Sequence, residues 1–186
     1  MCALTSNSSH NSVQATGLDV ESFIEQHAAE HEGFTGAGGG RLTRLRELAC
    51  EAAQANADLA ELIDMDRKIA CFCNDLPECF RREEQMVFPA LLRLKAQTHI
   101  SSCKSGMVAA RLRFMVAEQQ MLLSTLADAI TILQVHLSPA GPCESCHELL
   151  RETKSLESEL AAHIHREQRV LFAWGAAREA ELVQTK

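Results

Sequence analysis

Two segments of the chain repeat one arrangement of side chains able to bind a metal ion. Cys79-Phe-Arg-Arg-Glu83-Glu84-Gln-Met-Val-Phe88-Pro89 and His163-Ile-His165-Arg-Glu167-Gln-Arg-Val-Leu-Phe172-Ala173 each set a thiol or imidazole four residues ahead of a glutamate, then an aliphatic residue and a phenylalanine one turn further on. Four residues are about one turn of helix, so donor and carboxylate leave the same face and can converge on one ion. Helix bundles build buried metal sites this way, with carboxylates and imidazoles projecting inward from facing helices. A His-Glu pair at this spacing, taken alone, is more often a surface pair. The repetition, with Phe88 and Phe172 at matched positions, favours an interior site, because a solvated face has no use for the same apolar residue twice.

The eight cysteines are a second source of chemistry. In an intracellular chain they read as reduced thiols, metal ligands or redox groups rather than a disulfide framework. Cys71 and Cys79, eight residues apart, fall roughly on one helix face, with Cys73 about 200° from Cys71, and Cys79 stands at a donor position beside Glu83. Cys143-Glu-Ser-Cys146-His147 has the Cys-x-x-Cys-His form of covalent heme attachment, but that reaction takes place outside the cytoplasm, so a reversible disulfide is the better expectation. Cys50 and Cys103 read as small buried hydrophobes, and Met107, Met115 and Met121 as core packing.

The elements that must position these groups are helices. The chain has 186 residues, 46% hydrophobic with only 4% aromatic, no Tyr and four Pro, which fits one all-α domain with a substantial core. A formal charge of −7 and a pI of 5.6 withhold the cationic footprint that nucleic acid or an anionic membrane would need. No basic start followed by an apolar run marks an export signal, and no stretch nears the roughly 18 apolar residues of a membrane span, so a cytoplasmic protein is expected. Residues 1–18 read as a disordered tail, and 19–183 as an antiparallel four-helix bundle.

Asp19 or Glu21 opens a first helix through His27 and His31. The five glycines of Gly33-Phe-Thr-Gly-Ala-Gly-Gly-Gly40 break it. Helix resumes near Arg41, and a further helix containing Pro77 reaches Leu94. A long helix spans 101–136, capped at Ser101 or Ser102. After the Ser138-Pro-Ala-Gly-Pro142 loop the last helix runs from about Cys143 to Val183. His31 and His165 are expected to face solvent or to lie behind the metal ligands.

Glu83-Glu84-Gln-Met-Val-Phe88-Pro89 and His163-Ile-His-Arg-Glu167-Gln-Arg-Val-Leu-Phe172 resemble the paired signatures of hemerythrin-like (HHE cation-binding) domains, and most closely those of the iron-sulfur cluster repair di-iron proteins. The resemblance implies a four-helix bundle around a non-heme di-iron centre. Its first-helix ligand falls on His27, with His31 as the substitute, and its bridging carboxylates on Glu83 and Glu167. Its other histidine positions hold Cys79, Gln119 and His163, so two expected ligands are replaced. Cys79 would favour zinc, whereas Gln119 offers a weak amide oxygen or leaves a position open. The implied role is binding of nitric oxide or dioxygen, or iron handling for damaged clusters, under nitrosative or oxidative stress, with a protein partner or homodimer as further possibilities. The alternative is a non-catalytic thiol or metal sensor that keeps the bundle without the iron pair. Adjacent cysteines near the N-terminus, common in the repair proteins, are absent, and Ala173-Trp174 stands where Pro-Arg commonly ends the fourth motif.

Overall fold

The computed structural model describes residues 18–36, 40–100, 105–136 and 144–184. They form α1 (Val20–Thr35), α2 (Gly40–Ala55), α3 (Ala60–Arg82), α4 (Phe88–Ala96), α5 (Met107–His136), α6 (Glu144–Glu167) and α7 (Ala173–Gln184), with π-helical turns at Glu83–Val87 and Gln168–Phe172. No strand occurs among the described residues. Helices α2, α3, α5 and α6 pack in a closed ring, each against two others, and the short links from α2 to α3 and from α5 to α6 make those pairs antiparallel neighbours. Helix α1 packs on α2, α3 and α4, while α7 packs on α4 and α5. The expected all-α bundle is thus the observed fold; of the expected tail, 1–18, all but Leu18 lies outside the described residues, and Leu18 packs against the core.

Asp19 caps α1, its carboxylate accepting from the Ser22 N–H at 3.4 Å. The helix passes through Gly33 and stops at Gly36, whose φ of 71° suits a residue without a Cβ. Along α1 the buried stripe is Val20, Ile24, His27, His31 and Phe34, so two imidazoles hold positions where an amphipathic helix would carry aliphatic residues. Pro77 is interior to α3, which continues past it to Arg82.

Both copies of the repeat turn π-helical within one residue of the same place, at Glu83 in one and directly after Glu167 in the other. A π turn takes in an extra residue, re-aiming side chains on either side of it, and such turns recur at functional sites. Here it buries Glu83, Val87 and Phe88 together in one copy and Glu167, Leu171 and Phe172 in the other. Of the methionines expected in the core, Met115 is buried, but Met107 and Met121 are 50% and 70% exposed on the outer face of α5. Cys71 and Cys79 do not share a face either: Cys71 is exposed and Cys79 buried, because eight residues overshoot two turns by about 80°. Cys50 is only half-buried, while Cys146 packs in the core; Cys103, Cys143 and the expected Ser101/Ser102 cap lie outside the described residues.

The N-terminus of α5 is instead capped from a distance. Buried Glu179 of α7 accepts from the N–H groups of Val108 and Ala109 at 3.0 and 2.9 Å, satisfying two donors a helix start leaves over. Glu179→Ala is expected to lower the unfolding free energy by about 1–3 kcal/mol, read as a lower urea midpoint at unchanged slope.

Candidate metal centre

Four elements converge where the ring of helices meets α1. His27 and His31 come from successive turns of α1, Glu83 from the first π turn, Gln119 from the middle of α5, and His163 and Glu167 from the last turn of α6. Their relative exposures are 2% or less, so bulk water cannot serve their polar atoms. Phenylalanines wall the rings: His31 stacks on Phe80 at a centroid distance of 3.9 Å, His27 stacks on Phe23 at 4.2 Å, and His163 meets Phe34 edge-on at 5.4 Å.

Each imidazole is anchored through Nδ1. That atom lies 3.2 Å from the Phe23 carbonyl oxygen in His27, 2.8 Å from Glu84 Oε1 in His31 and 2.7 Å from Glu30 Oε2 in His163. All three partners are acceptors, so the hydrogen-bond network assigns the proton to Nδ1 and leaves the Nε2 lone pair facing inward. Carbonyl and carboxylate partners of this kind orient metal-binding histidines and raise their basicity. Glu30 is itself steadied by Arg166 at 2.6 Å.

The carboxylates meet across the bundle through Gln119. Its Nε2 donates to Glu83 Oε1 and to Glu167 Oε2, both at 2.6 Å, while its Oε1 accepts from Gln168 Nε2 at 2.8 Å. A flipped amide would set an oxygen against two carboxylates, so the network fixes this orientation. Of the two expectations for Gln119, an amide oxygen as ligand or an open position, the orientation does not favour the first, because its nitrogen is turned toward the carboxylates. Five buried atoms keep no hydrogen-bond partner among the described residues: Nε2 of His27, His31 and His163, Glu83 Oε2 and Glu167 Oε1. His31 Nε2 approaches Glu83 Oε2 to 3.3 Å without hydrogen-bond geometry.

Burial shapes the electrostatics. It pushes His163 down to about 4, helped by His31 and His27 and opposed by the hydrogen bond to Glu30. It lowers His27 as well, against the pull of Glu30. It raises the Glu167 carboxyl well above the ordinary carboxylate range, the charge of Glu83 adding to it and Gln119 opposing. Burial thus favours neutral rings at His27 and His163 beside a Glu167 carboxyl that resists ionisation, a charge pattern a cation relieves.

The Cys79 thiol is pushed up by burial and then by Glu83, so a thiolate there is costly. Cys79 borders a surface groove between α3 and α5 with Asp75, Arg82 and Glu118, and the latter two are ion-paired at 2.7 Å. His31, expected to face solvent or stand behind the ligands, is buried beside Glu83. The signal was present in the sequence, since His31 shares the stripe of Ile24, His27 and Phe34. Glu30, Glu84 and Gln168 were not singled out; Glu84 and Gln168 occupy matched positions after the two glutamates, a hint that both support the centre.

Three buried imidazole nitrogens and two carboxylate oxygens without partners fit iron, manganese or zinc. Among the described residues, one group of three donor-bearing side chains has its atoms mutually within 4.8 Å: His27, Glu30 and His163. The Glu30 oxygen is engaged on the outer nitrogen of His163 and by Arg166, so we assign Glu30 the orienting role. The remaining donors must close in to bind an ion.

Glu30→Ala is expected to weaken metal binding about 10- to 100-fold with the bundle intact, measured by competition with a chromophoric chelator. In metal-free protein the His163 ring should still be neutral at pH 6 and titrate near 4 by NMR. Since 4 lies below the ordinary 6.5, the neutral ring contributes stability that is present above pH 6.5 and lost as the pH falls toward 4, up to about 3 kcal/mol. The elevated Glu167 acts in the opposite sense, its contribution present at low pH and lost as the pH rises through its folded value. Comparing wild type with Glu167→Gln separates the two.

No curated protein and no solved structure matches the chain. A family profile does: that of the Hemerythrin HHE cation binding domain, over residues 40–175, a span that contains Glu83, Gln119, His163 and Glu167 and begins after α1 with its two histidines. With most of its length matched and a buried His/Glu centre inside an all-helical bundle, the chain belongs to the hemerythrin HHE cation-binding domain family.

Proposed function

We propose that this protein holds a non-heme metal, iron by preference, and binds a small diatomic such as nitric oxide or dioxygen in a response to nitrosative or oxidative stress or to iron-sulfur cluster damage. The observation that carries the reading is the set of five buried donor atoms without partners. An unpaired polar group in a dry interior costs about 1–3 kcal/mol, and several together persist where a ligand repays them. His27, His31, His163, Glu83 and Glu167 would hold the ion; bound iron in this donor set supplies one-electron chemistry and an open position for a diatomic.

The chain's own residues do the rest. Glu30, Glu84 and the Phe23 carbonyl hold the Nδ1 protons outward, and Phe34, Phe80 and Phe88 exclude water from the donors. An open surface groove bordered by Phe34, Ala162, His163 and Arg166 gives a route from solvent to His163. The zinc alternative through Cys79 has less support, because nothing beside the thiol favours its ionisation except Arg82. The thiol-sensor reading is weakened likewise, since burial also pushes Cys73 up to about 11.

Glu167→Ala should abolish metal retention while the far-ultraviolet circular dichroism stays helical. Elemental analysis of anaerobically purified wild type and variant tests this, and equal metal content in the two would overturn the proposal. Metal addition to wild type at pH 6 should release protons from the Glu167 carboxyl rather than from His163, seen as a buffer-dependent binding enthalpy.

A further inference from the structure

We infer that the centre takes one metal ion per chain, because the Gln119 amide closes the edge of the carboxylate pair at which a second ion would bind. The inference rests on the metal-site reading above and deepens it.

Two carboxylates that each bridge a pair of ions through both oxygens use all four of them. Here two are taken: Glu83 Oε1 and Glu167 Oε2 each receive an N–H from Gln119 at 2.6 Å. One oxygen per carboxylate remains, Glu83 Oε2 and Glu167 Oε1, and both lack partners among the described residues. The free nitrogen donors are also one-sided. All three come from α1 and α6, whereas α3 contributes a protonated thiol at Cys79 and α5 an amide, neither of which offers a ready donor.

Charge points the same way. One divalent ion balances two carboxylates; two would leave a net positive charge in a site from which water is shut out. The amide N–H groups already turn their positive ends toward the carboxylates, so a second cation would have to displace them. That displacement is resisted from outside, because Gln168 donates to the Gln119 oxygen at 2.8 Å and holds the amide plane. Gln119 is a positioning residue that stands in for a cation between Glu83 and Glu167 and sets the metal capacity.

The test is anaerobic titration of the metal-free full chain with Mn(II), with bound metal counted by elemental analysis and its environment read by electron paramagnetic resonance. Wild type should saturate at one ion per chain with the spectrum of an isolated Mn(II). In Gln119→Glu, whose side chain accepts where the amide donated, the ratio should rise toward two. Two exchange-coupled ions in wild type would overturn the single-ion inference and leave the metal site standing. No bound ion in wild type would overturn both. A ratio that stays at one in folded Gln119→Glu would overturn the role given to Gln119.

Discussion

The interior of this bundle has to accommodate two carboxylates that water cannot reach. Glu83 and Glu167 are fully buried from opposite arms of the ring and share a single hydrogen-bond donor group. Burying one ionised carboxylate is unfavourable by several kcal/mol, and a second beside it adds repulsion. Gln119 answers part of that cost with two N–H groups. What it leaves unanswered, two carboxylate oxygens facing three imidazole nitrogens, gives the site its appetite for a positive charge.

The rest of the architecture supplies the rigidity that such a site demands. Lone pairs held near one another will separate or hydrate unless the helices bearing them are fixed, and Phe72, Leu76, Leu126, Leu156 and Leu160 are buried in the same core. Each fully buried side chain of this kind contributes about 1.5–3 kcal/mol, enough together to hold a few unpaired polar atoms in place. The π turns work at a finer level. By taking in one extra residue directly at or after each glutamate, they let the carboxylate and the following phenylalanine both face inward, which an unbroken α-helix spaces less favourably.

Much of this was legible in the sequence, for identifiable reasons. The repeat around Glu83 and Glu167 carries its meaning in spacing and in the matched Phe88 and Phe172, so the bundle and the two glutamates could be read from one chain. Asp19 as a cap and a break near Gly36 follow from local chemistry. Less legible were features set by tertiary partners. His31 looked dispensable next to His27 because a one-turn spacing makes both candidates for a single position, and only the approach of α3 gives each its own role. The orientation of Gln119 depends on Gln168, a residue 49 positions away. The π turns leave no spacing signal of their own, and Met107 and Met121 escaped the core because helical periodicity fixes a face but not what covers it.

The two copies of the repeat also differ where it matters most. His163 holds the position that Cys79 takes in the other copy, and Gln168 the position of Glu84. On the α6 side the donor is an imidazole oriented by Glu30; on the α3 side it is a thiol kept protonated by burial and by Glu83. The outer partners diverge in parallel, Glu84 orienting His31 and Gln168 orienting Gln119. Donor strength is therefore concentrated on one side of the carboxylate pair and withdrawn from the other. A neutral amide on the weak side satisfies one oxygen of each carboxylate without any ion, and leaves the other oxygen of each to the strong side.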